Sequence, residues 1–264
     1  MDIISVLIDF TETSKVATAY ACQLAKQEGA KVNLLHISNH SDDSGEVLKQ
    51  KLLDFTGIKN MDVSYEVSVG EGDYMSQVPK LLQLSDSDFV VIGTHGQKGI
   101  FQTLFGANVI KLIQSLHVSA LIVQDNSPMP DGGFEKILFP MGPHDNFQIK
   151  IDQTAHWAKM LDASVEVFCL FKEDGTLHEG LSKNLEQTKK SFTEQGIKYN
   201  LILRDSKVYS IGYAREVLDE AKKSGSDLIS IMSQTSEENR YFGNVDKTNM
   251  VLNTMGIPVL CIAE

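Results

Sequence analysis

An internal repeat constrains the fold of this chain more than any other feature of its sequence. Residues 155–163 parallel residues 22–30 at a constant offset of 133, and Asp227-Leu-Ile-Ser-Ile231 answers Asp88-Phe-Val-Val-Ile92. In both halves, apolar runs typical of strands alternate with segments of helical spacing. Two copies of one unit account for nearly the whole length. This order predicts an α/β fold in which each copy is a mostly parallel five-stranded sheet with helices on both faces.

A run of turn-forming residues separates the two copies. Residues 125–133 contain two prolines and two glycines, and four of the six prolines in the chain lie between Pro128 and Pro143. Such composition is typical of a domain boundary. We therefore expect domains at residues 1–126 and 134–264.

Composition and charge exclude several classes of protein. The 264 residues are 42% hydrophobic, which is normal for a globular core, and the formal net charge of -11 without a Lys/Arg cluster argues against binding nucleic acid or an anionic membrane. No apolar run approaches the roughly 20 residues of a membrane span, and the first residues lack a basic signal-peptide region. We expect a soluble, cytoplasmic protein. Cys22, Cys169 and Cys261 lie in apolar stretches, which predicts buried free thiols rather than metal ligands.

A strand followed by a glycine-rich loop is the most informative motif for function. The apolar run Phe89–Ile92 predicts a buried strand, and residues 108–114 have helical spacing. Between them lie Gly93, Gly96, Gly99 and Gly106. Glycine lets bare backbone approach a ligand, and free N–H groups at a helix N-terminus favour an anion. The alternative is an ordinary strand-to-helix turn.

No catalytic motif accompanies this loop. The sequence lacks a P-loop, a Gly-x-Ser-x-Gly elbow and a His-Glu-x-x-His pair. His95 could contact a phosphate or a metal, or could simply be tolerated in the loop, and Lys98 could reach a phosphate or be exposed. His40 with Asp42 and Asp43 is better explained by a solvated loop than by a metal site. The sequence predicts a binding site without visible chemistry.

Three strand-end motifs together resemble the universal stress protein family. They are Asp9-Phe-Thr-Glu-Thr13, Leu34-Leu-His-Ile37 and Gly93-Thr-His-Gly96. Nucleotide-binding members carry Gly, two residues, Gly, nine residues, and Gly followed by Ser or Thr. Gly93, Gly96 and Gly106 have those spacings, but Ala107 stands where the hydroxyl is expected. The resemblance implies two tandem adenine-nucleotide-alpha-hydrolase-like, Rossmann-like domains.

The resemblance also implies the residues of a nucleotide site. Asp9 would bind the ribose hydroxyls, Ile37 would lie against adenine, and Ile92 and Gly93 would border the ribose. The phosphates would face backbone N–H groups of Gly96, Gly106, Ala107 and Asn108. Losing the hydroxyl at residue 107 removes a hydrogen bond worth about 1.5–3 kcal/mol to a charged acceptor. We expect a weaker phosphate grip, with AMP or ADP as well as ATP as candidate ligands and Mg²⁺ or Mn²⁺ as a candidate accompanying ion.

The second copy departs from this pattern. Gly142 occupies the position of Asp9, and Met232-Ser-Gln-Thr235 replaces Gly93-Thr-His-Gly96. We therefore expect a structural role for this copy. Single-domain members of the family pair through their last strands, so the resemblance implies an intramolecular pseudo-dimer, with a homodimer of chains left open.

Together with the motifs, the resemblance implies a stress-response sensor or adaptor that binds an adenine nucleotide in its first domain and an unknown protein partner, with at most weak ATP hydrolysis. Two alternatives remain open. A nucleotide-free interaction scaffold is favoured by Ala107 and by the degenerate second copy. A slow ATPase or phosphotransferase is favoured only by the phosphate loop with His95 nearby.

Overall fold

The chain folds as two units. A computed structural model describes residues 1–38, 45–94, 109–129, 133–142, 144, 146–171, 179–205, 212–235 and 240–264. One unit comprises residues 1–129, 254–256 and 263, and the other comprises residues 130–253, 257–262 and 264.

Strands and helices alternate along the first unit. Its described strands are β1 (Ile3–Leu7), β2 (Lys31–Ser38), β3 (Tyr65–Glu71), β4 (Phe89–Thr94) and β5 (Ser119–Gln124). Its described helices are α1 (Glu12–Glu28), α2 (Gly45–Thr56), α3 (Tyr74–Leu84) and α4 (Val109–Ser115), with a short 3-10 turn at Ile58–Asn60.

The sheet of the first unit is parallel, with the strand order β3-β2-β1-β4-β5. Nearly every residue of β1, β4 and β5 is buried, as expected for a parallel sheet that is covered on both faces. The carboxyl ends of β2, β1 and β4 therefore lie side by side at one edge. Open α/β sheets bind their ligands at this edge.

Helix α1 brings its first turn to that edge. Thr11 caps the helix, and its hydroxyl accepts a hydrogen bond from the Ser14 backbone N–H at 3.4 Å. Gly29 ends the helix in the left-handed conformation, with φ of 68°. The predicted apolar face, which includes Ala17, Ala21 and Leu24, is buried, and the helix packs on β1 and β4.

The second unit repeats this order. Its described strands are β6 (Lys136–Pro140), β7 (Ser164–Phe171), β8 (Tyr199–Asp205), β9 (Leu228–Met232) and β10 (Val259–Ile262). Its described helices are α5 (Phe147–Met160), α6 (Glu179–Glu194), α7 (Tyr213–Ser224) and α8 (Arg240–Val251). The strands are parallel in the order β8-β7-β6-β9-β10, which is the order of the first unit. The predicted α/β class, the parallel sheets and the repeat are confirmed.

Some details differ from the sequence prediction. Helix α8 was not predicted, because its apolar residues do not recur at a helical period: Met250 and Val251 are buried whereas Val245 is exposed. Val63 was expected in the third strand, but β3 begins only at Tyr65. Pro79 lies inside α3 without ending the helix.

Candidate functional site

The predicted ribose and adenine residues come together at the carboxyl edge of the first sheet. Leu7 pairs with Leu35 and Val6 with Val91. Continuing these registers by two and three residues places Asp9 level with Ile37 and Thr94. Neighbouring strands lie about 4.8 Å apart, so the ends of β2, β1 and β4 form one small surface. Ile92 and Gly93 lie near the carboxyl end of β4. The other predicted site residues fall outside the described residues: Gly96, Gly106, Ala107 and Asn108, together with His95 and Lys98.

The Asp9 carboxylate is held in place by the loop that follows it. Its Oδ1 accepts hydrogen bonds from the Thr11 backbone N–H at 3.1 Å and from the Thr11 hydroxyl at 2.5 Å. Thr11 is also the cap of α1, so one residue fixes both the carboxylate and the helix start. Within the described residues, both hydrogen bonds of this carboxylate end on Oδ1. Oδ2 is therefore the oxygen left to accept from a ligand.

Phe10 adopts a backbone conformation that is rare for its residue type. Its φ is 61°, in the left-handed region that costs a residue with a side chain on the order of 1–2 kcal/mol. The ring makes edge-to-face contacts with His36 at 5.0 Å and Phe55 at 5.2 Å between centroids, and it is 38% exposed. His36 Nδ1 lies 2.7 Å from the Ile8 carbonyl oxygen. Sequence reasoning missed this aromatic wall beside the end of β2.

Ile37 closes the same surface on the side of β3. It is 7% exposed, and an added Cβ at Gly70, its partner on β3, would lie 3.1 Å from the Ile37 Cδ1 and 2.8 Å from the Leu81 Cδ1. Gly70 therefore makes room for the Ile37 side chain. Ile37 points to the opposite face of β2 from His36, so its apolar side chain lies towards Leu81 of α3.

Gly93 is required by the packing of the protein itself. A Cβ at this position would lie 2.6 Å from the Thr13 carbonyl oxygen and 2.8 Å from its carbon. Both atoms belong to the backbone of α1, so no side-chain rotation could relieve the overlap. The sequence predicted that this glycine lets a ligand approach, and the structure adds that it lets the first turn of α1 approach β4.

Two further residues of this edge were missed by sequence reasoning. Thr94 is 2% exposed, and no described residue hydrogen-bonds its buried hydroxyl. An unmet buried polar group costs about 1–3 kcal/mol, so this hydroxyl is a candidate ligand contact. Burial, and next the negative charge of Asp9, raise the pKa of Tyr74 well above its ordinary value. The unbonded Thr94 hydroxyl and the raised pKa of Tyr74 both depend on tertiary contacts, which no local sequence pattern shows.

A family model matches the first unit. Residues 1–124 match the model of the universal stress protein family. Over these residues, which make up just under half of the chain, the protein is similar to the universal stress protein family. No curated protein matches the chain.

Solved structures share the fold over the full length. A universal stress protein from Archaeoglobus fulgidus DSM 4304 is similar with a TM-score of 0.70 at 13% identity, over 100% of this chain and 96% of that one. A functionally unknown protein from Pseudomonas aeruginosa PAO1 is similar with a TM-score of 0.68 at 15% identity, over 100% of this chain and 92% of that one. At these identities the likeness establishes the fold alone. The tandem arrangement of two such units expected from the sequence is thus confirmed.

Metal-ligating and thiol side chains are the remaining candidates for chemistry. Across the described ranges, no three His, Cys, Asp or Glu side chains are grouped to hold a metal ion. Cys22, Cys169 and Cys261 are free and buried, as predicted, and burial raises the pKa of the first two to about 11 and of Cys261 to about 12. Of the described helices, none is both long and apolar enough to span a bilayer.

Proposed function

We propose that the first unit binds an adenine nucleotide at the carboxyl edge of its sheet, and that this cytoplasmic protein acts as a stress-response sensor or adaptor rather than as an efficient enzyme. The observation that carries the proposal is Asp9. Its carboxylate is positioned by Thr11 through Oδ1, which leaves Oδ2 for the ribose hydroxyls. A carboxylate at a strand end is the usual partner of a ribose diol in α/β folds.

The surroundings of Asp9 fit the other parts of a nucleoside. Ile37 supplies apolar surface for a flat base, and the Phe10 ring lies with His36 on the other face of β2. Gly93 and Thr94 end β4, which flanks Asp9 on the side away from Ile37, and we propose that the ribose lies there. The family-model match over residues 1–124 supports the same assignment.

The phosphates of the nucleotide are proposed to contribute little to the affinity. Backbone N–H groups of Gly96, Gly106, Ala107 and Asn108 are proposed to face them, and Ala107 offers no hydroxyl. The protein has a formal net charge of -11, so its long-range field does not favour polyanions. We therefore propose that the affinity rises little from AMP to ADP to ATP, with or without Mg²⁺ or Mn²⁺.

Calorimetric titration of the full chain with AMP and with 2′-deoxy-AMP and 3′-deoxy-AMP tests the role of Asp9. The wild type is expected to bind AMP more tightly than either deoxy analogue. Asp9→Asn is expected to weaken AMP binding by roughly 10- to 150-fold, the equivalent of one hydrogen bond between charged and neutral groups, and to lose most of the preference for AMP. Comparing the loss caused by Asp9→Asn with the loss caused by removing a ribose hydroxyl, separately and together, isolates the contact between the two groups.

Glu12→Gln is the matched control. It removes the same charge three residues away, from an exposed side chain that pairs with Lys15 on the surface. It should bind AMP as the wild type does. No heat with any nucleotide would favour the scaffold alternative, and equal affinities for AMP and the deoxy analogues in the wild type would remove Asp9 from the ribose.

The adaptor role has a separate test. If the nucleotide regulates a partner, the set of proteins retained from a cell extract by the immobilised chain should differ between AMP-saturated and nucleotide-free protein, and Asp9→Asn should abolish the difference. Retention that is the same in both states would leave ligand binding intact but refute the sensing role.

A further inference from the structure

The carboxyl edge of the second unit's sheet holds two buried lysines. Lys150, on α5, is 3% exposed, and Lys247, on α8, is 6% exposed. Lys150 Nζ donates to the carbonyl oxygen of Pro140 at 2.5 Å. Lys247 Nζ donates to the carbonyl oxygen of Ser233 at 3.1 Å and to that of Gln234.

These acceptors place both ammonium groups at one location in the fold. Pro140 is the last residue of β6, and Ser233 follows the last residue of β9. β6 and β9 are paired in parallel, so the two strand ends are neighbours. This is the edge that corresponds to the proposed nucleotide site of the first unit, and parallel α/β sheets bind ligands there.

The two copies have opposite charge at this edge. At the offset of 133, Lys150 takes the place of Ala17, and Gly142 takes the place of Asp9. The second copy has thus lost the carboxylate and gained a buried cation. The degeneration of its nucleotide motif is a replacement by positive charge rather than a simple loss of polar residues.

Both lysines lack a direct counter-charge in the described part of the chain. Their hydrogen-bond acceptors are neutral carbonyl oxygens, and Lys150 also lies over the Phe139 ring, 4.2 Å from its centroid. Burial, and next the charge of Lys247, lower the pKa of Lys150 well below its ordinary value. Burial lowers the pKa of Lys247 to about 8, although Cys261 and Glu264 act to raise it. Burial and mutual repulsion thus favour loss of a proton from this pair, whereas a bound anion would favour the charged form of both lysines.

His144 supplies a neutral donor beside the lysines. The Asn184 side-chain amide donates to the carbonyl oxygens of Gly142 and His144 at 2.9 and 3.1 Å, which ties this loop to α6. Burial, then the charges of Lys247 and Lys150, lower the pKa of His144 to about 4. The ring is therefore uncharged near pH 7 and can donate an N–H without adding to the repulsion.

We propose that the second unit binds a small oxyanion of the phosphate class between the ammonium groups of Lys150 and Lys247, with His144 beside it. Such an ion supplies the missing negative charge and several acceptor oxygens at once. The site is separate from the nucleotide site proposed for the first unit and does not depend on it.

Calorimetric titration of the full chain with inorganic phosphate, at constant ionic strength in a phosphate-free buffer, tests the proposal. The wild type is expected to bind phosphate, and Lys150→Met and Lys247→Met are each expected to weaken binding by roughly tenfold or more. Lys159→Met is the control, because Lys159 lies exposed on the same helix as Lys150. No heat from the wild type, or phosphate binding by either buried-lysine variant that is as tight as that of the wild type, would overturn the proposal.

A second measurement needs only the wild-type protein and so does not depend on the folding of a variant. Crystals soaked in selenate, an oxyanion of the same geometry, should give an anomalous selenium peak between the two Nζ atoms, with selenate oxygens within hydrogen-bond distance of both. A peak elsewhere would mean an adventitious ion only. That result, or the absence of any peak, would refute the site even if phosphate binds the chain.

Discussion

Replacing Gly93 by alanine tests the packing that positions the proposed nucleotide site. The new Cβ would lie 2.6 Å from the Thr13 carbonyl oxygen, whereas ordinary contacts begin at 3.4 Å. The end of β4 and the first turn of α1 must therefore separate by roughly 0.8 Å, and backbone atoms bound both sides of the contact. Overpacking of this kind costs about 1–3 kcal/mol of unfolding free energy. Because α1 begins at the Thr11 cap that holds Asp9, Gly93→Ala should also weaken AMP binding.

Hydrogen–deuterium exchange is the suitable assay, since it reports the free energy of opening for peptides from α1 and β4 separately. The fluorescence of Trp157, the single tryptophan of the chain, reports the second unit and should be unchanged. Gly45→Ala is the control, because an added Cβ at Gly45 meets nothing within 4 Å. It should leave stability unchanged or raise it by up to about 1 kcal/mol. If Gly93→Ala opened no more readily than Gly45→Ala, the proposed contact between α1 and β4 would be wrong.

Three further predictions concern buried groups. Thr94→Val should not lower the stability of the nucleotide-free protein, because no described residue hydrogen-bonds the Thr94 hydroxyl, but it should weaken AMP binding if AMP contacts that hydroxyl. Denaturant titration measures the stability and calorimetry measures the affinity for AMP. A loss of stability without a loss of affinity would contradict this prediction. Cys22, Cys169 and Cys261 should all resist a thiol reagent at pH 8 and all react after unfolding, because burial raises the pKa of each thiol; rapid labelling of the native protein would show that a thiol is accessible. The folded-state pKa of Lys247, about 8, lies below its ordinary 10.5, so the unfolded chain binds more protons between these pH values and the stability of the fold rises with pH. Relative to Lys247→Met in phosphate-free buffer, the wild type should gain up to roughly 3 kcal/mol of unfolding free energy between pH 8 and 10.5. Parallel pH profiles of the two proteins would refute the shift.

Much of the fold could be predicted from the sequence because buried parallel strands are nearly continuous apolar runs. The run Phe89–Ile92 marks β4, and Gly29 marks the end of α1, since each feature follows from local chemistry. The repeat then fixed the order of elements in the second unit. Helix α8 escaped prediction because, among its described side chains, the apolar Val245 is exposed whereas the charged Lys247 is buried.

The proposed site was predictable only in part. Asp9 and Ile37 could be placed because residues at the ends of neighbouring parallel strands must meet at one edge. The positive φ of Phe10 has no local signal, since the residue type does not favour it. The unmet hydroxyl of Thr94 and the paired lysines of the second unit depend on what packs around them. These features arise from tertiary contacts, which residue spacing does not encode.

A crystal structure of the full chain grown with AMP is the measurement that tests the central claim most directly. The account predicts nucleotide density at the carboxyl edge of the first sheet, with a ribose hydroxyl within hydrogen-bond distance of the Asp9 carboxylate and the adenine against Ile37. Density elsewhere, or an Asp9 carboxylate turned away from the bound nucleotide, would contradict it. So would an edge filled by the protein's own side chains at saturating AMP.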